Sequence, residues 1–192
     1  MQRFAELIVE KFEHYQKQSY RNRCYINTAT GVRPLIIPVV HKAGKSLMKD
    51  IEIDHTQKWL NNHWRTIQSA YGKAPFFEYY QDDLHKTLFK KHTYLYDLNK
   101  DLLSLCLQWL RYNIPVRETT FYERDAGIGI NDSRSVLNPK KADSCNSFFK
   151  SAKYQQVFGS KFVDNLSIID LIFCEGPGAP TIIRSSAPEM NK

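Results

Sequence analysis

From Asp54 to Tyr112 the sequence sets apolar side chains at helical spacing three times in succession. Asp54 is placed to cap the first run, with Gln57 at the capping-box position; Trp59, Leu60, Trp64 and Ile67 follow, and Gly72 ends it. Pro75 opens the second run, which carries Phe76, Tyr79, Tyr80, Leu84, Leu88 and Phe89. Asp97 caps the third, Leu98 to Tyr112, whose Leu102, Leu105, Cys106, Trp109 and Leu110 form a broad apolar face; Pro115 bars its extension. Three consecutive amphipathic helices need one shared apolar surface to cover, and β-branched segments on either side of the block supply it. The expected fold is therefore α/β, a mixed sheet with a hairpin covered by a block of helices, with α+β as the alternative.

The strands lie on both sides of the block. Residues 4 to 12 keep helical spacing at Phe4, Leu7, Ile8 and Phe12, yet Leu7-Ile8-Val9 reads equally well as a short strand. Arg21 to Thr28 and Pro34 to His41 form a hairpin around Gly31, which supplies the positive φ a short connection needs. Pro38 removes an amide donor and marks an edge or bulge. Ile51 to Ile53 and Val116 to Tyr122 alternate as strands. Asp125 to Lys153 has loop composition and exceeds ordinary connection length, which makes it a candidate functional loop. Ser167 and Asp170 form a second capping box for a helix Ile168 to Cys174, which Gly176-Pro177 ends. Residues 1–184 read as one domain and 185–192 as a flexible tail.

The chemistry concentrates between Glu13 and Ile26, where Lys17, Arg21 and Arg23 stand among Gln16, Tyr20 and Asn22 with little aliphatic bulk. On an extended strand Arg21, Arg23 and Tyr25 share one face. Arginine's planar fork donates paired hydrogen bonds to carboxylate or phosphate, so this face is a candidate anion site; ion pairing with nearby acids is the competing reading. Asp132 and Arg134 in the long loop are candidates to close over a ligand, and Asp132 alternatively neutralises Arg21 or Arg23. Glu13 and Asp132 are the candidate proton acceptors.

Charge and cysteine content narrow the function classes. A net charge of +7 favours acidic partners, but the basic residues are dispersed, with Lys90-Lys91 and Lys140-Lys141 as the longest runs. A local anion site for a small molecule is thus favoured, and a nucleic-acid track is disfavoured. Cys24, Cys106, Cys145 and Cys174 lack zinc-ligand spacing, and His55 and His63 stand about 12 Å apart on a helix, so no metal site is expected. No apolar run spans a bilayer and no secretory pattern opens the chain, which points to the cytoplasm. No sequence feature names a cofactor.

The segment Tyr15-Gln16-Lys17-Gln18-Ser19-Tyr20-Arg21-Asn22-Arg23-Cys24-Tyr25-Ile26 resembles the signature of the WbqC-like protein family. Agreeing segments follow in order: Lys73-Ala74-Pro75-Phe76-Phe77, Asp97-Leu98-Asn99, Asp132 with Arg134, and Pro139-Lys140-Lys141. Tyr154-Gln155-Gln156-Val157-Phe158, Ser167 to Phe173 and Glu175-Gly176-Pro177 complete the series. The resemblance implies a further apolar, proline-containing strand ahead of Leu7, which this sequence lacks. It also implies a link with O-antigen and surface-polysaccharide genes, and a transferase role on a sugar nucleotide or amino sugar, with glycine or aminoacyl transfer as a suggested form. In that reading Gln16, Lys17, Tyr20, Arg21, Asn22, Arg23 and Arg134 bind substrate. A nucleic-acid-binding module and a non-catalytic partner of a glycan-pathway enzyme are the alternatives.

Overall fold

The computed structural model describes residues 4–40, 44–134 and 150–186. Pro139-Lys140-Lys141, Cys145 and His41, all singled out in the sequence, lie outside these residues, as do 187–192 of the expected tail. The chain runs β1 (Leu7–Val9), β2 (Arg23–Thr28), β3 (Gly31–Ile36), α1 (Trp59–Tyr71), α2 (Phe77–Leu88), α3 (Leu95–Trp109), β4 (Val116–Glu118), α4 (Ile168–Glu175) and α5 (Ala179–Ser185). The α/β expectation holds. Parallel and antiparallel pairings are both present, divided between two small sheets: β1 runs parallel to β4, and β2 pairs antiparallel with β3.

The hairpin turns through Ala29 and Thr30, with Thr28 opposite Gly31 and Arg23 opposite Ile36. Gly31 holds φ at 102°, and the Thr28 hydroxyl donates to its carbonyl at 2.6 Å. The first strand begins two residues later than the sequence suggests. Gln18 takes a φ of 57°, and the Ser19 hydroxyl donates to the Gln16 carbonyl at 2.6 Å, so residues 17–21 form a turn. Arg21 therefore leaves the strand face on which it was expected beside Arg23. The second strand begins earlier and stops at Ile36. Pro38 has no N–H to extend the ladder, and the chain turns away so that Pro38 and Val40 bond to Asp54 and Glu52.

The helices form where their periodicity places them, but two start differently. Asp54 does not cap α1: its carboxylate accepts from the Thr56 amide (3.0 Å), the Thr56 hydroxyl (2.5 Å) and the Gln57 amide (3.0 Å), closing a turn ahead of Trp59. Such Asx turns compete with capping through the same side-chain oxygens. The third helix begins at Leu95, before Asp97, which sits in its first turn where the helix dipole favours an acid. Tyr71, Phe77 and Trp109 meet Phe173 of α4, with ring centroids 5.2, 5.2 and 6.4 Å away. Phe173 has no exposed surface and anchors one continuous core shared by the helices and the hairpin.

Gly176-Pro177 ends α4 as expected, but the chain returns to helix beyond it. A single turn, Gly176–Gly178, leads into α5. Gly176 holds φ at 49°, and a Cβ there would stand 2.5 Å from the Phe76 ring. Gly176→Ala is accordingly expected to destabilise the protein by about 1–3 kcal/mol through strain and overpacking. Urea denaturation measures this, and the added Phe76→Ala change should recover part of the loss if the ring contact is responsible.

Candidate functional site

The Glu13–Arg23 segment curls into its turn and is pinned from three sides. The Tyr15 amide donates to the Ser46 carbonyl at 2.9 Å, and Asn99 on α3 donates its side-chain amide to the Arg21 carbonyl at 2.8 Å. Asn165 donates to the Tyr20 hydroxyl at 2.8 Å. The Asp97-Leu98-Asn99 segment thus earns its place through Asn99, which fixes the backbone that carries the arginines.

Arg21 is engaged by an acid. Its Nε donates to Glu13 at 2.7 Å and its Nη2 to the second carboxylate oxygen, a forked pair whose side chains are mostly buried. The same Nη2 reaches the Arg134 carbonyl at 3.4 Å. Arg134 is the clasp of the loop that follows β4. It donates to Asp132 through Nε (2.9 Å) and Nη2 (2.6 Å), and to the carbonyls of Glu123 (2.6 Å) and Arg124 (3.0 Å). Its guanidinium lies 5.3 Å from the Tyr122 ring centroid and 3.7 Å from buried Glu10. Asp132 therefore pairs with Arg134, not with Arg21 or Arg23. That pairing holds the Asp132 carboxyl below its usual range.

Arg23 differs from both. Among the described residues no carboxylate pairs with it, and its Nε is buried without a hydrogen-bond partner. The adjacent Asn22 is buried; it donates to the Ile37 carbonyl at 2.9 Å, while its Oδ1 is also buried and unpartnered. A buried donor and a buried acceptor on neighbouring residues, both unmet, are rare in a settled core. Tyr15 feels both arginines: burial raises its hydroxyl pKa, and the charges of Arg23 and Arg21 oppose that rise. Gln16 and Lys17 project from the exposed part of the turn.

A second polar centre escaped the sequence reading. Asp170 has no exposed surface and accepts from the Tyr71 hydroxyl (2.8 Å), the Tyr154 hydroxyl (2.6 Å) and the Gln156 amide (3.1 Å). Ser167 makes no side-chain cap, so the expected capping box is absent. Its spacing is genuine, but Asp170 faces the core. Burial, then the Asp170 charge, raises the Tyr71 hydroxyl far above its usual value near 10; burial and the bond to Asp170 do the same for Tyr154. Both tyrosines ionise more readily in the unfolded chain, so their contribution is complete below pH 10 and is lost as pH rises above it. Each is expected to steepen alkaline destabilisation by about 1.4 kcal/mol per pH unit. Urea titrations between pH 9 and 11 measure the slope, and Tyr154→Phe should remove one such increment.

Among the described residues, burial shifts the three thiols and His63 away from their usual ranges. Burial pushes the thiols of Cys106 and Cys174 up to about 12 and raises Cys24 as well. Burial also takes His63 down to about 4. Among the described residues no three His, Cys, Asp or Glu side chains could hold a metal ion, and no helix is long and apolar enough to cross a membrane.

A family model for the WbqC-like protein family matches residues 1–137. That span contains Glu13, Arg21, Arg23, Asp132 and Arg134, whereas Asp170 and its partners Tyr154 and Gln156 lie beyond it. No curated protein and no solved structure matches the chain.

Proposed function

Since the chain belongs to the WbqC-like protein family, we propose that it is a transferase of bacterial surface-polysaccharide assembly, acting on a sugar nucleotide or an amino sugar. The observation that carries the reading is the unmet pair at Asn22 and Arg23. A ligand bearing a phosphate or carboxylate beside a hydroxyl or amine satisfies both at once. Arg23 donates to the anion, and Asn22 Oδ1 accepts from the neighbouring O–H or N–H. Arg21 stays with Glu13 and sets the orientation of that carboxylate.

The transfer then balances as follows. The acceptor's amine or hydroxyl attacks the anomeric carbon of the donor, and the bond from that carbon to the diphosphate oxygen breaks. Glu13 takes the acceptor's proton, and the charge of the departing nucleoside diphosphate falls on Arg23. With a glycyl or other aminoacyl donor, the attacked atom is the carbonyl carbon; its ester or thioester bond to the carrier breaks, the carrier's oxygen or sulfur leaves with the electron pair, and the acceptor's proton follows the same route. Asp132 is read as the clasp partner of Arg134. In this reading Gln16, Lys17, Tyr20 and Arg134 serve as contacts for the rest of the substrate.

A thermal-shift screen against sugar nucleotides and aminoacyl donors tests the reading. Arg23→Ala should weaken binding of a donor that stabilises the wild type by about tenfold or more, since a charge-assisted bond contributes about 1.5–3 kcal/mol. The same thermal shift in the variant would overturn the assignment.

A further inference from the structure

The segment Tyr154 to Phe158 carries more than the buried network. With the residues around it, the segment lines a cleft of about 480 Å³, open to solvent, whose walls are Lys153, Tyr154, Gln155, Ser160, Lys161 and Phe162. Tyr154 and Phe162 meet edge to face, centroids 5.2 Å apart at 79°, so the cleft presents aromatic surface in two planes. Gly159, with φ at 85°, lets the chain curl so that residues on either side of it share the wall.

This wall is rigid where it matters. The Tyr154 hydroxyl is held by Asp170, so its ring cannot swing away. Gln156, one residue pair further on, donates to the Val163 carbonyl at 2.8 Å and accepts from the Val163 amide at 2.8 Å, closing the curl on itself. Asn27 of β2 donates to the Phe158 carbonyl at 3.1 Å, and the Ser167 amide donates to the Tyr25 carbonyl at 2.7 Å. The curl is therefore clamped to the strand that carries Arg23. By contrast, the cations on the rim are uncommitted: among the described residues neither Lys153 nor Lys161 has an ion-pair partner.

We propose that this cleft is a second binding site, and that it takes a phosphorylated monosaccharide. Aromatic faces accept the C–H face of a sugar ring, the Gln155 amide and Ser160 hydroxyl match ring hydroxyls, and two unpaired ammonium groups match one phosphate. Lysine suits a phosphate as a point charge without needing the forked geometry of arginine. The chemistry is the same whether the sugar phosphate is free or forms the end of a larger glycosyl carrier. The assignment does not depend on Arg23.

The test is an NMR titration of the full chain with glucose 1-phosphate, following the backbone amides of residues 153–162. The expected result is saturable movement of those signals. Lys153→Gln combined with Lys161→Gln should weaken the interaction about tenfold or more, as should Phe162→Ala, while Arg23→Ala leaves it unchanged. Glucose and inorganic phosphate, each alone, should bind at least tenfold more weakly. The proposal is overturned by no movement of these amides, by an undiminished titration in the double lysine variant, or by uridine 5′-monophosphate binding as tightly as the sugar phosphate. Because both lysines are exposed, the variants should keep the wild-type amide spectrum elsewhere. Loss of binding in Arg23→Ala alone would transfer the ligand to the other pocket and likewise overturn this one.

Discussion

Asp170→Ala is expected to remove about 3–5 kcal/mol of folding stability, as much as truncating a fully buried apolar side chain. The carboxylate has no exposure and receives two tyrosine hydroxyls and one amide. Alanine returns the cost of burying a charge, but it leaves three donors without an acceptor. Tyr71 is itself fully buried, so no solvent replaces the lost oxygen there. Each bond to a charged acceptor contributes about 1.5–3 kcal/mol, and three of them outweigh the recovered desolvation. For a chain of this size the loss corresponds to a fall in Tm of about 6–20 °C. Denaturant titration gives the free energy directly. Asp170→Asn keeps one acceptor oxygen and should fall between wild type and alanine. A loss near 1 kcal/mol for alanine is what a simple helix cap would give, and it would refute the buried-acceptor role.

That prediction also marks where the sequence stops being readable. Ser167 and Asp170 have capping-box spacing, and nothing local distinguishes a cap from an acid aimed inward. The distinction comes from Tyr71, ninety-nine positions away, whose hydroxyl needs an acceptor in the core. The hairpin was legible because Gly31 states its own backbone requirement, and the helical block was legible because its period is local. The helix starts were less so. Asp54 and Asp97 are both good caps by type, yet one closes a turn with Thr56 and the other falls inside α3. The candidate site shows the same division. Its residue types were visible, and Glu13, Arg21 and Arg134 do come together. Which arginine would be left without an acid was not visible, because it depends on a turn at Gln18 with φ of 57°, a conformation glutamine does not announce. α5 was hidden for a related reason. Gly-Pro normally stops a helix, but here the positive φ of Gly176 redirects the chain, and Pro180 then sits at the start of the next helix, where a missing N–H costs nothing.

Glu13→Gln is expected to separate catalysis from binding at the proposed Arg21–Arg23 site. Each Glu13 oxygen accepts one Arg21 N–H and keeps a second lone pair, so the carboxylate can serve as both orienting partner and proton acceptor. Glutamine retains a single acceptor for Arg21 and cannot take a proton. The expected outcome is a fall in turnover of about 10²–10⁴, the range general-base catalysis supplies, with substrate-induced thermal stabilisation retained because Arg23 is untouched. Removing one partner of this mostly buried ion pair should also lower stability by about 3–5 kcal/mol, so turnover and binding are compared at a temperature where denaturant titration shows the variant folded. Arg23→Ala should give the complementary pattern, in which binding is lost first. If Glu13→Gln instead weakened binding and kept turnover at saturation, Glu13 would be no more than the partner of Arg21, and the proton would have to leave by another group.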